Sequence, residues 1–169
     1  MGKNYIYEDK NETNICVICG SDSEYYVYES EDAEDGIYYC SNCEAEYVYT
    51  GTEYRDTGEL VILKGEKRDW LKYLRENLKL PCEGHVIEYQ ERGPVQQGDS
   101  VTVKTLDMED GFYGVIATIT VANKKHFFSG RPKQYAFPLA DICASDKKSE
   151  NYKILDNYSC WFANCKDIL

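Results

Sequence analysis

At 169 residues, with eight cysteines, 16 tyrosines and a net charge of −11, the chain has room for one domain or two small ones. Residues 1–16 hold no apolar run, so no signal peptide and no membrane span is expected there. A reducing cytoplasm is the expected setting, which favours metal-binding thiols over disulfides.

The charge is unevenly spread. Residues 1–60 carry 15 Asp/Glu against three Lys/Arg, a balance of −12, whereas residues 61–169 carry 15 acids and 16 bases. This asymmetry predicts two units with different partners. Nucleic acid is disfavoured as a partner of the first, because neutralising phosphates takes Lys and Arg.

Residues 1–14 are polar, with Tyr5, Ile6 and Tyr7 as a short edge strand. Then comes Cys16-x-x-Cys19, answered 20 residues later by Cys40-x-x-Cys43. Two tight turns with this spacing make a four-thiolate zinc site when the chain between them folds back as a hairpin. Gly20 follows the second thiolate, where positive φ lets backbone amides point at the sulfurs. Disulfides, or a redox pair of the thioredoxin type, would draw on the same residues. Residues 25–28, 37–39, 47–49 and 60–63 are rich in strand formers, and the acid run 29–36 reads as a solvated loop between two of them. Tyrosine suits such strands, its ring covering a thin core while the hydroxyl stays wet. This pattern resembles the zinc ribbon family over residues 1–62. The resemblance implies structural Zn²⁺ on Cys16, Cys19, Cys40 and Cys43, with no chemistry at the metal.

Gly65 marks a boundary. Across residues 66–80 the apolar positions Trp70, Leu71, Leu74 and Leu78 fall at helical spacing, and Pro81 stops the helix. The period then changes to two. Residues 85–89, 99–104, 113–121 and 135–139 read as strands, with Val101 and Val103 inward on the second and Val115, Ala117, Ile119 and Val121 sharing one face of the third. Short strands with tight turns predict a small SH3-like barrel. Ile154, Leu155, Tyr158, Trp161, Phe162 and Cys165 form a helical stripe after a polar start at Ser149 and Glu150, placed to close one side of that barrel beside the Trp70 helix. The fold class is therefore α+β, mostly β: a zinc ribbon (1–62) of short antiparallel strands, then a small barrel flanked by two helices (66–166).

Several motifs follow one another in the second part: Trp70-x-x-Tyr73-Leu74, Leu80-Pro81, Gly98-Asp99-x-Val101-x-Val103, an acidic turn, Phe137-Pro138-Leu139-x-Asp141-Ile142, and Tyr158-x-x-Trp161-Phe162. In order and spacing they resemble the small acidic calcium-binding domains first known from cyanobacteria, over residues 69–164. The resemblance implies Ca²⁺ held by surface carboxylates and backbone carbonyls rather than by an EF-hand. The densest acids here are Asp107, Glu109 and Asp110. An EF-hand loop starting at Asp107 would need Glu at its twelfth position, which is Thr118. A turn alone offers too few oxygens, so Asp141, Asp146, Glu150 or Asp156 must add to it. The bland alternative is a solvated turn beside a helix-capping acid. The near-neutral second half also departs from the acid excess on which calcium-binding members rely.

Cys82, Cys143, Cys160 and Cys165 read as packed thiols. Residues 124–133 form a basic loop with Phe127 and Phe128, which reads as a hairpin loop kept soluble by its charge; the alternative is a place where a nucleic acid or an acidic protein would dock. No nucleophile setting and no phosphate loop is present, so no enzyme is expected. The leading reading is a cytoplasmic, non-enzymatic Ca²⁺-binding or Ca²⁺-sensing protein with structural Zn²⁺. The competing one is an acidic, Tyr-rich ribbon that docks on a basic protein surface as an interaction module.

Overall fold

A computed structural model describes residues 5–8, 14–28, 36–50, 59–125 and 129–166. The acid run and the aromatic part of the basic loop, residues 126–128, lie outside the described residues. The fold is α+β and mostly β, with two α-helices and antiparallel sheets. It divides into two compact units: Met1–Arg68 with Cys160–Leu169, and Asp69–Ser159. Among the described residues no helix is long and apolar enough to cross a membrane.

The first unit is one sheet of short strands: β1 (Tyr5–Glu8), β2 (Asn14–Ile15), β3 (Asp22–Tyr28), β4 (Gly36–Tyr39), β5 (Glu46–Thr50) and β6 (Glu59–Lys64). Their order is β1-β3-β4-β5-β6, with β2 paired to β3. The hairpin expected between the two cysteine turns is β3–β4, in which Tyr25 faces Tyr38 and Tyr26 faces Ile37. Tyr38 in turn faces Tyr47 on β5, and their rings stack with centroids 5.3 Å apart. Tyr47 is buried, and its hydroxyl lies 2.9 Å from the buried Ser23 hydroxyl. Among the described residues Val17, Ile18, Ile37 and Ala45 are also buried in this unit. Gly65, at φ +103°, leaves room for Ile18 and Ala45, each of which a Cβ there would crowd at 3.2–3.3 Å.

The second unit opens with α1 (Trp70–Asn77). Asp69 caps it, its carboxylate accepting from the Lys72 N–H at 2.9 Å. The helix is shorter than its apolar pattern suggests. Leu78 already has extended backbone, and the residue before Pro81 is kept out of the helical region by the proline ring. Strands β7 (Cys82–Val86), β8 (Ser100–Asp110), β9 (Gly114–Lys125), β10 (Pro132–Pro138) and β11 (Ile142–Ala144) follow in the order β10-β9-β8-β7-β11. The inward face of β9 is as its alternation predicts: Val115, Ala117, Ile119 and Val121 are all buried.

The expected SH3-like barrel is corrected to an open sheet. Among the described residues no ladder joins β10 to β11, the two ends of the strand path. Proline brackets β10 at both ends and gives it no N–H there, as suits an edge strand. The 3-10 turn Leu139–Asp141 then redirects the chain into β11, which spends its three residues on β7.

Helix α2 (Glu150–Cys165) starts where Ser149 accepts from the Tyr152 N–H at 3.1 Å. Its apolar stripe divides. Leu155 and Tyr158 are buried in the second unit, where the Tyr158 and Trp70 rings lie 5.2 Å apart. Cys160 onward groups with the first unit.

Tyr158 is 1 % exposed, and its hydroxyl oxygen accepts from the Val115 N–H at 2.7 Å. Burial pushes its pKa up to about 12; the Val115 bond opposes this, and the charges of Glu109 and Asp141 add to it. An unfolded tyrosine loses its proton near pH 10. The folded state therefore keeps a proton that the unfolded state has lost, and stability falls as pH rises from about 10 to 12. Tyr158→Phe is expected to cost about 1–2 kcal/mol at neutral pH by leaving the Val115 N–H unpaired. Urea titrations at rising pH should show the gap to wild type closing between about pH 10 and 12.

Candidate metal centre

Cys16, Cys19, Cys40 and Cys43 meet at one point, their Sγ atoms all within 4.8 Å of one another. Cys16 and Cys43 sulfurs are 3.7 Å apart, and Cys19 and Cys40 sulfurs 3.5 Å. A disulfide needs about 2.05 Å. Four thiolates at about 2.3 Å around a tetrahedral ion stand about 3.8 Å from one another. The set therefore fits a zinc ion and fits no disulfide, and all eight cysteines are free.

Each turn is built the same way. In the first, Gly20 N–H donates to the Cys16 carbonyl at 2.9 Å and Cys16 N–H to the Ser21 carbonyl at 2.7 Å. In the second, Cys40 N–H donates to the Ala45 carbonyl at 3.0 Å. The residue after the second cysteine is left-handed in both: Gly20 at φ +71° and Glu44 at φ +56°. Glycine takes that conformation freely, and Glu44 takes it at some cost in strain.

Two residues beyond the ligands bear on the sulfurs. The Ser21 hydroxyl lies 2.9 Å from Cys19 Sγ and 3.2 Å from Cys40 Sγ, and the Asn42 amide donates to Cys19 Sγ at 3.5 Å. Sequence reasoning passed over both, although each sits beside a ligand in a turn. Protons are unequally shared among the thiols. Cys19 is driven far below an ordinary thiol and Cys16 far above, each chiefly through the other, and Cys43 is raised as well. Cys40 is lowered to about 6, again chiefly through Cys16.

The acids named as calcium ligands are placed differently. Asp107 is the extra residue of a β-bulge in β8, between the pairs Leu106–Ala117 and Met108–Ile116. Its carboxylate accepts from the hydroxyls of Thr105 (2.9 Å) and Thr118 (2.7 Å), and its carbonyl from Arg75 Nη2 (2.7 Å). Asp110 ends the strand and accepts from the N–H groups of Phe112 (2.8 Å) and Tyr113 (3.0 Å), which sets the turn into β9. Residues 107–110 are thus strand rather than the turn expected, because the ladder with β9 runs on to Asp110 and Gly114.

Glu109 faces Val115 across the ladder. Asp141 lies in the 3-10 turn, where its carboxylate accepts from the Gln90 amide at 3.2 Å; burial, with Glu88 adding, raises its pKa. Glu109 and Asp141 both act on the Tyr158 hydroxyl, whereas Asp156, exposed on α2, acts on Cys143. Among the described residues no three His, Cys, Asp or Glu side chains other than the four cysteines converge as a metal site, so these acids do not form a closed oxygen cage as they stand.

Of the other cysteines, Cys82 is buried and burial raises its pKa, while Cys165 is buried and pushed up to about 11, chiefly by burial. Both stay protonated at neutral pH and behave as packed thiols.

A family model described as "Calcium binding" matches residues 63–162. Neither the curated proteins nor the solved structures contain a match to the chain.

Proposed function

Because the chain belongs to the calcium-binding family, we propose that its second part, residues 66–166, binds Ca²⁺ without catalysing a reaction, and that residues 1–62 form a ribbon held by structural Zn²⁺. The family match over residues 63–162 carries this reading. The calcium ligands are Asp107, Glu109 and Asp110, with Asp141 or Asp156 completing the set. A cytoplasmic, reducing setting accords with eight free cysteines.

Calorimetry on the zinc-loaded chain tests the assignment. Saturable heat is expected with calcium at or below millimolar concentration, with affinity falling at least about tenfold when Glu109→Gln is combined with Asp141→Asn. No heat at millimolar calcium removes the reading. An affinity unchanged by Asp107→Asn, Glu109→Gln and Asp110→Asn together removes these ligands from it.

The charge balance of −12 over residues 1–60 supports a second reading, an interaction module whose acidic ribbon docks on a basic protein. Such capture is salt-sensitive and independent of calcium. It weakens when Glu29, Glu31, Asp32, Glu34 and Asp35 are neutralised.

A further inference from the structure

The carboxyl end of α2 belongs to the metal-bearing unit and touches the first cysteine turn at two successive carbonyls, those of Cys16 and Val17. Trp161 is 7 % exposed, and its indole N–H donates to the Val17 carbonyl at 2.8 Å. One helical turn on, Cys165 is 2 % exposed, with its sulfur 3.9 Å from the Cys16 carbonyl. Residues four apart on a helix share a face, so both reach the same stretch of backbone. That stretch begins at a metal ligand. The Cys16 carbonyl also accepts from Gly20 N–H, so its peptide lies at the centre of the first turn's hydrogen bonding. The Val17 carbonyl belongs to the next peptide, Val17–Ile18, so the indole holds the middle of the turn between Cys16 and Cys19 and with it the direction from which those two thiolates approach the other sulfurs.

Among the described residues no local feature of the first turn supplies the donor for the Val17 carbonyl. It comes from 144 positions along the chain, and Val17 itself is 1 % exposed. Without the indole that carbonyl would face an apolar side chain or an opening to water, and either change would loosen the turn.

We propose that Trp161 is a positioning residue for the four-thiolate centre, so that zinc occupancy and docking of the last turns of α2 form one linked equilibrium. This rests on the zinc reading. Zinc binding holds the helix end in place, and the docked helix end tightens zinc. The two effects are equal by thermodynamic reciprocity. Partners that orient metal ligands from outside the first shell commonly change affinity by about 10–100-fold.

The test uses the full chain and Trp161→Phe, which keeps an aromatic ring and deletes the N–H donor. Competition with a colorimetric chelator should show zinc held about 10–100-fold more weakly in the variant. Substitution with Co²⁺ reads thiolate geometry, and its visible bands should shift in the variant. The chain has two tryptophans, so fluorotryptophan labelling of the unmutated protein gives two ¹⁹F lines, for Trp70 and Trp161. Removing zinc should move the Trp161 line and leave the Trp70 line in place. Equal zinc affinity with and without the indole N–H, or a Trp161 line indifferent to zinc, overturns the inference while the zinc reading stands. A chain that takes up no zinc overturns both.

Discussion

Replacing Cys16 with Ser is expected to strip zinc from the chain and unfold the strands of the first unit. The reason is the balance between its core and its metal. Among the described residues its buried apolar side chains other than cysteines are Val17, Ile18, Ile37 and Ala45, with Tyr38, Tyr47 and Trp161 as the larger pieces. So few residues offset little of the backbone entropy of six short strands, at about 1–2 kcal/mol per residue ordered. A four-thiolate zinc site contributes about 10–16 kcal/mol near neutral pH in small peptides, and most of that is folding energy. A serine hydroxyl is not deprotonated at that pH and makes a poor zinc ligand. Zinc content of the purified variant should fall from one per chain toward none, and amide exchange in β3, β4 and β5 should become fast. Exchange in β8 and β9 should stay slow, because their core is built from Val101, Val103, Val115, Ala117 and Ile119, all buried and none near the sulfurs in sequence. A zinc-free variant with β3 to β5 still protected would show that the metal is not what holds the ribbon.

Gly84→Ala is expected to destabilise the second unit by on the order of 3 kcal/mol. Gly84 lies in β7, paired to Val101 on one side and to Ala144 on the other. A Cβ there would stand 2.6 Å from the Cys143 carbonyl oxygen and 3.0 Å from Ile142 Cγ2. The first contact is with backbone, which cannot rotate away, so β11 must move off β7. Gly111 is the control: a Cβ there meets nothing within 4 Å, and its φ is not left-handed. Gly111→Ala should stay within about 0.5 kcal/mol of wild type. Urea unfolding followed by tryptophan fluorescence compares them, and equal midpoints for the two variants would disprove the close approach.

Much of the four-cysteine cluster was legible because it is local. A Cys-x-x-Cys turn specifies its own geometry within five residues, and two of them joined by a hairpin need only one further contact. The inward face of β9 was legible for a similar reason, since alternation along one strand reports which side is buried whatever covers it. The strand β11 was not. Its three residues are too few to show a period, and its existence depends on β7 being open along one edge with a glycine to let it close in. The bulge at Asp107 was also hidden. An extra residue in a strand breaks no composition rule, yet it turns that carboxylate toward the Thr105 and Thr118 hydroxyls and extends the strand through acids that read as a turn.

The apolar stripe of the last helix shows where this boundary lies. Spacing alone determined that Leu155, Tyr158, Trp161 and Cys165 share a face, because 3.6 residues per turn is a property of the helix itself. What that face meets was decided by tertiary structure. Tyr158 meets Trp70, while Trp161 meets the carbonyl of Val17, 144 positions away. The sequence by itself determined the four-cysteine cluster, the uneven charge and the buried faces, all of which follow from neighbours along the chain. Which acids share a neighbour, which edge of the sheet stays open and which buried carbonyl the indole reaches depend on distances through space between residues far apart in sequence, and only the folded chain decided them.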